Sequence, residues 1–170
     1  GEFYFGGKNL IQIEVGSLKY KTLMNGWLNH LYLSANSSFN YKTLIISKKT
    51  DYRKKIQFEV SKEILPINTK EARKNLRHIY QLATAGRHTC WPVPPESGLD
   101  YALATKDNNK NEQALFQKKW EGDLYMQGER ETLAMELCFG KRCKASTFLD
   151  FESFNEVLMS LYEPILKNIN

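Results

Sequence analysis

Two short stretches, "TLIIS" at 43–47 and "IQFEVS" at 56–61, flank the very basic run "KKTDYRKK" at 48–55. In the second stretch Ile56, Phe58 and Val60 recur at every other position, with Gln57 and Glu59 between them. Because successive side chains of a strand point to opposite faces, this spacing predicts a strand with one apolar side. The first stretch is a short apolar run of the kind a buried strand needs. Joined across the basic run they read as a hairpin with a long cationic tip, so the chain must build at least part of a sheet. A third alternating stretch, "LIQIEV" at 10–15, reads as another half-buried strand.

Helical periodicity separates these strands and follows them. Leu23, Trp27, Leu28 and Leu31 lie at helical spacing within 19–35, and His30 beside that stripe reads as a hydrogen-bonded histidine on the helix surface. A Ser/Asn-rich loop, 34–40, leads to the hairpin. The strongest helix is "NTKEARKNLRHIYQLATAG" at 68–86. Asn68 and Glu71 make a capping-box-like start and Gly86 supplies the stop. Ala72, Leu76, Ile79, Tyr80 and Ala83 form its buried stripe, while Lys70, Arg73, Lys74 and Arg77 read as a solvated face. The prolines of "WPVPPES" at 91–97 predict extended backbone. A helix over about 109–120, a strand "TLAMELCF" at 132–139 and a last helix from near Asp150 complete the chain. In that last helix Phe151, Phe154, Leu158, Leu161 and Ile165 repeat at helical spacing, and Pro164 kinks or shortens it. No repeat or low-complexity linker interrupts residues 1–170, which read as one mixed α/β domain.

Bulk properties narrow the class. With 42% hydrophobic and 25% charged residues the chain has the balance of a soluble globular domain, and no apolar run approaches the roughly 20 residues of a membrane span. No secretory signal is read at the start, and Gly1-Glu2-Phe3 reads as a cloning remnant on a piece of a longer protein. Three cysteines, Cys90, Cys138 and Cys143, cannot all pair within the chain, which favours free thiols in a reducing cytoplasm. Cys138 and Cys143 lack a second ligand pair and His88-x-Cys90 stands alone, so no zinc site is expected. The net charge of +5 and pI of 9.0 point to an anionic partner where the cations cluster.

Signatures of a serine nucleophile, a phosphate-binding loop and a dinucleotide fold are all absent, so no cofactor is expected. A metal-dependent phosphodiesterase needs converging carboxylates with a nearby lysine. The best local match is Glu59 followed by Lys62, but an acid-x-Lys triplet would need the lysine at position 61, which is Ser. In a regular strand Lys62 points to the opposite face, and "TLIIS" offers no second acid. Glu59 is therefore a vestigial candidate. The tip carries the clearer signal. Lys48, Lys49, Arg53, Lys54 and Lys55 surround Tyr52, with only Asp51 opposing, an arrangement able to hold phosphates and stack on a base. The same tip could equally be a solubilising turn. In "KKWEGDLYMQGERETLAMELCFG" at 118–140, Gly122 and Gly128 bound a turn that positions Trp120. Glu129 ties that turn to neighbouring backbone or a basic side chain, without catalytic work.

The order of these landmarks resembles the C-terminal domain of the RecC-type gamma subunit of exodeoxyribonuclease V. "GWLNHLYLSA" is similar to the family's first helix, and "EARKNLRHIYQLATAGRHTCWPVPPESGLDYA" to its helix and proline-rich crossing. "WEGDLYMQGERETLAMELCFG" is similar to its Trp-x-Gly and Gly-Glu succession, and "FNEVLMSLYEPIL" to its closing helix. Leu133 stands where the family often has an aromatic. The resemblance implies a restriction-endonuclease-like fold, a small central mixed sheet flanked by helices, that has lost its catalytic acids: Ile45 or Ile46 and Ser61 stand in two of the places. It further implies a cytoplasmic, bacterial scaffold that contacts DNA and the beta and alpha subunits in double-strand-break repair and homologous recombination. Such a domain is no enzyme by itself. The competing expectations are a metal-dependent nuclease using Glu59 with displaced acids such as Asp51 or Glu14, and a protein-interaction module without DNA contact.

Overall fold

Parallel strands cannot be joined by a tight turn, so a parallel pair demands a crossover. β2 (Asn9–Glu14) and β3 (Lys42–Thr50) are such a pair, and α1 (Tyr20–Asn36) is the helix between them. The computed structural model describes residues 2–6, 9–36, 41–50, 55–88, 91–107 and 111–170. β1 (Glu2–Gly6) pairs antiparallel with β2, and β4 (Ile56–Ile64) antiparallel with β3, giving a four-stranded sheet in the order β1-β2-β3-β4. Both hairpin strands are longer than the apolar stretches that announced them. Residues 2–3, read as a remnant, lie in β1.

The described chain forms two compact units, Gly1–Gln81 with Lys167–Asn170, and Leu82–Leu166. In the first, α1 lies on one face of the sheet and buries Leu23, Met24, Trp27, Leu31 and Ala35 over Leu10 and Ile45. Gly26 marks the closest approach: a Cβ there would meet Gln12 Oε1 at 2.7 Å and Ile45 Cδ1 at 2.9 Å. His30 is not on the helix surface. It shares the inward side with Trp27, three residues back, so the helix that buries the tryptophan buries it too; it is 1% exposed. Its Nδ1 is 2.9 Å from Thr43 Oγ1, and its ring stacks on Trp27 at 6.0 Å.

α2 (Thr69–Gly86) starts as read, with the Glu71 N–H donating to Asn68 Oδ1 at 2.9 Å and Asn68 Nδ2 to the Glu71 carboxylate at 3.4 Å. Thr69 Oγ1 and Arg73 Nε donate to the Ser34 and Ala35 carbonyls, at 3.0 and 3.1 Å, and so satisfy the last turn of α1. Its apolar stripe is corrected by the structure. Only Ala72 is buried, Leu76 and Ile79 are half-buried, and Tyr80 and Ala83 are exposed. Amphipathic spacing says which side of a helix favours cover, not whether the same chain provides it.

The second unit is helical: α3 (Pro95–Lys106), α4 (Glu112–Glu121), α5 (Leu133–Phe139), α6 (Ser146–Leu149) and α7 (Phe154–Leu166). The proline-rich segment is extended through Pro94 (φ −60°, ψ 129°), but Pro95 then opens α3, as proline can at a first helical position. The strand expected at 132–139 is a short helix. Leu, Ala, Met and Glu are strong helix formers, and Gly140 ends the helix at φ 85°. The last helix starts at Phe154, leaving Phe151 exposed. The core is an edge-to-face aromatic cluster, with Phe148 on Trp120 at 4.8 Å and Phe154 on Phe116 and Tyr101 at 5.3 and 5.5 Å. Trp120 Nε1 also donates to the Cys143 carbonyl at 2.9 Å.

Gly122 (φ 77°) and Gly128 do bound a turn, closed by pairing of Gly122 with Gln127. A Cβ on Gly128 would collide with the Trp120 and Glu121 backbone. The Glu129 carboxylate, 9% exposed, accepts from the Glu96 and Ser97 amides at 2.9 and 2.7 Å and from Ser97 Oγ at 2.5 Å. Its partners are the free amides of the first turn of α3, not the neighbouring backbone.

Candidate nucleic-acid interface

The cationic tip belongs to the β3–β4 hairpin. Lys48 and Lys49 are in β3 and Lys55 directly precedes β4; Tyr52, Arg53 and Lys54, together with Asp51, lie outside the described residues. Lys48 is paired across the ladder with Phe58, whereas Lys49 reaches Glu59 Oε1 at 2.8 Å. As strand neighbours, the two lysines stand on opposite faces. The hairpin thus offers one cation to each side. The Lys49–Glu59 pair is well exposed and worth no more than about 1 kcal/mol, so it leaves Lys49 able to exchange Glu59 for a phosphate.

The ladder contains an irregularity that the sequence does not announce. Ile46 pairs with Val60 and Ile45 with Lys62, so Ser61 is an extra, bulged residue. Paired residues of a ladder share a face. Ser47 is opposite Glu59 and Ile45 opposite Lys62, and Ser47 and Ile45 are two apart. Lys62 therefore returns to the face of Glu59, correcting the expectation for a regular strand. Ser61 joins them, its Oγ 2.6 Å from Ser47 Oγ.

Glu14 of β2 is the parallel-ladder partner of Ser47, so Glu14, Ser47 and Glu59 form a row across three strands on the side that α1 covers. Hydrogen bonds from Thr22 Oγ1, at 2.7 Å, and from the Gly16 amide hold the Glu14 carboxyl below its ordinary range. Among the described residues no three His, Cys, Asp or Glu side chains are placed to hold a metal ion. Cys143 is a free thiol, and Cys90 lies outside the described residues. No described helix is long and apolar enough to cross a membrane.

These features define a mixed α/β protein whose sheet carries a basic hairpin beside a row of serines and separated carboxylates. Residues 2–106 match the RecC C-terminal domain, and the chain belongs to that family. No curated protein matches the chain. Membership connects it with exodeoxyribonuclease V, the RecBCD complex of DNA repair, whose activities lie mostly in other subunits.

Proposed function

We propose that residues 1–170 are a nuclease-like C-terminal domain of the exodeoxyribonuclease V gamma subunit, acting in the bacterial cytoplasm as a non-catalytic scaffold that contacts DNA and the beta and alpha subunits. The observation that carries this reading is the row across the sheet. A restriction-endonuclease-like site needs an acid and an acid-x-Lys on adjacent strands, and here Ser47 and Ser61 stand in that neighbourhood, hydrogen-bonded to each other. The tip residues Lys48, Lys49, Tyr52, Arg53, Lys54 and Lys55 hold backbone phosphates, with Tyr52 available for stacking, while ATP hydrolysis belongs to the motor subunits.

Binding of this kind is salt-sensitive and indifferent to sequence. End-labelled forked DNA titrated with protein in Mg²⁺ or Mn²⁺ is expected to shift on a native gel and stay full-length on a denaturing one. The triple variant K48Q/K49Q/R53Q is expected to bind at least about tenfold more weakly, with a shallower dependence on salt. Wild-type affinity in that variant would show that the tip is only a solubilising turn.

One observation favours a second reading: Glu14 and Glu59 flank Ser47, and the bulge brings Lys62 to their face. Were this a metal-dependent nuclease, the labelled strand would shorten, and Glu59→Ala would abolish the cleavage.

A further inference from the structure

Among the described strands β4 stands at the edge of the sheet, beside β3. Its outer edge is used at one end. Glu63 and Asn170 exchange backbone hydrogen bonds at 3.3 and 3.0 Å, the Leu65 N–H donates to the Asn168 carbonyl at 2.8 Å, and Ile64 faces Ile169 in an antiparallel bridge. Over Ile56–Ser61 no described residue pairs with that edge. The side chains there are unusual for an exposed edge. Ile56, Phe58 and Val60 are 60, 54 and 52% exposed and stand on the sheet face away from α1. Open edges are ordinarily blunted by proline, by an inward charge or by covering elements. This stretch has no proline, and its one charge, Glu59, lies on the other face with Lys49.

We propose that Ile56–Ser61 is a docking edge for an extended segment of a partner protein, which adds to β4 as a fifth, antiparallel strand. The edge presents backbone donors and acceptors in alternation, and only another polypeptide backbone answers both; the phosphates of a nucleic acid would meet the donors alone. The direction follows from residues 168–170, which already extend the same edge antiparallel. The period of Ile56, Phe58 and Val60 asks for apolar residues at alternate positions of the incoming strand.

Charge fixes the rest of the occupant's chemistry. Among the described residues of 42–63, five Lys/Arg stand against two Asp/Glu, and both acids, Glu59 and Glu63, are held by Lys49 and Lys42 at 2.8 and 2.5 Å. The incoming strand therefore carries carboxylates between its apolar residues. The same excess of positive charge disfavours a second copy of this edge as the occupant. The proposal is independent of DNA binding at the tip.

The test uses the 170-residue protein and a synthetic peptide of about ten residues alternating valine with glutamate, with a block-ordered peptide of the same composition as control. The alternating peptide is expected to bind saturably and to slow amide exchange across Ile56–Ser61. The block-ordered peptide, and the alternating peptide on Phe58→Asp protein, are expected to bind at least about tenfold more weakly. Equal affinity for both peptides would reduce the effect to charge and overturn the proposal. So would protection confined to other segments, no binding at millimolar peptide, or a self-association of the protein that Phe58→Asp abolishes.

Discussion

Glu129→Ala is expected to lower the stability of the helical unit by about 3 kcal/mol, read as the shift of its urea unfolding transition. Hydrogen bonds to a charged group contribute about 1.5–3 kcal/mol each, less where they share one acceptor. Here one carboxylate receives three, from the Glu96 and Ser97 amides and the Ser97 hydroxyl, in a nearly sealed site. Removing it strands two amides at the start of α3, the end where the helix dipole favours negative charge. Pro94, at the N-cap position, makes no side-chain hydrogen bond of its own. Glu129→Gln keeps an acceptor but loses the charge, so about half the loss is expected. A transition unmoved by the alanine variant would remove Glu129 from its place as the anchor of α3.

Acidification should unfold the sheet unit by way of His30. Burial pushes its pKa down to about 4 from the ordinary 6.5, the Leu65 backbone opposing this less strongly. The unfolded chain thus takes up a proton between those two values that the folded chain refuses. Stability is at its full value above pH 6.5 and falls as the pH drops toward 4. The loss from this one group is about 2 kcal/mol at pH 5 and about 3 kcal/mol at pH 4. His30→Asn keeps a polar atom for Thr43 Oγ1 but does not titrate in this range. Its melting temperature should vary less between pH 5 and 6.5, a window above most carboxylate titrations, even though its absolute stability is lower from the lost ring contact with Trp27. Equal slopes for the two proteins in that window would assign the acid sensitivity to other groups.

These two residues show where sequence reading stops. The Asn68–Glu71 cap was legible because both partners lie within one turn. Glu129 reads as a tie rather than a catalytic acid, yet its partners are 32 and 33 residues away, beyond any local rule. Periodicity puts His30 on the surface because it ranks positions around a helix by the stripe's apolar members, and histidine does not count among them. "TLAMELCF" satisfied strand alternation and helix propensity at once, and its intrinsic preference with a glycine stop decided the outcome. Of the candidate site, the cationic cluster could be read because charge is composition. The shared face of Glu59, Ser61 and Lys62 could not, because a bulge is a property of two strands together.

The pairing of Glu63 with Asn170 also bears on the order of assembly. The β3–β4 hairpin joins residues close in sequence, and its ladder can zip as soon as its tip closes. The bridge between Ile64 and Ile169 closes a loop that contains the whole of the second unit. Contacts of such high contact order carry the largest closure entropy and form slowly. On a ribosome the sheet would emerge, pair and stand with its last edge position empty until the C-terminal residues followed. For that interval the open edge of β4 would run unbroken from Ile56 to Leu65, the period in which this chain is most exposed to pairing with the wrong strand.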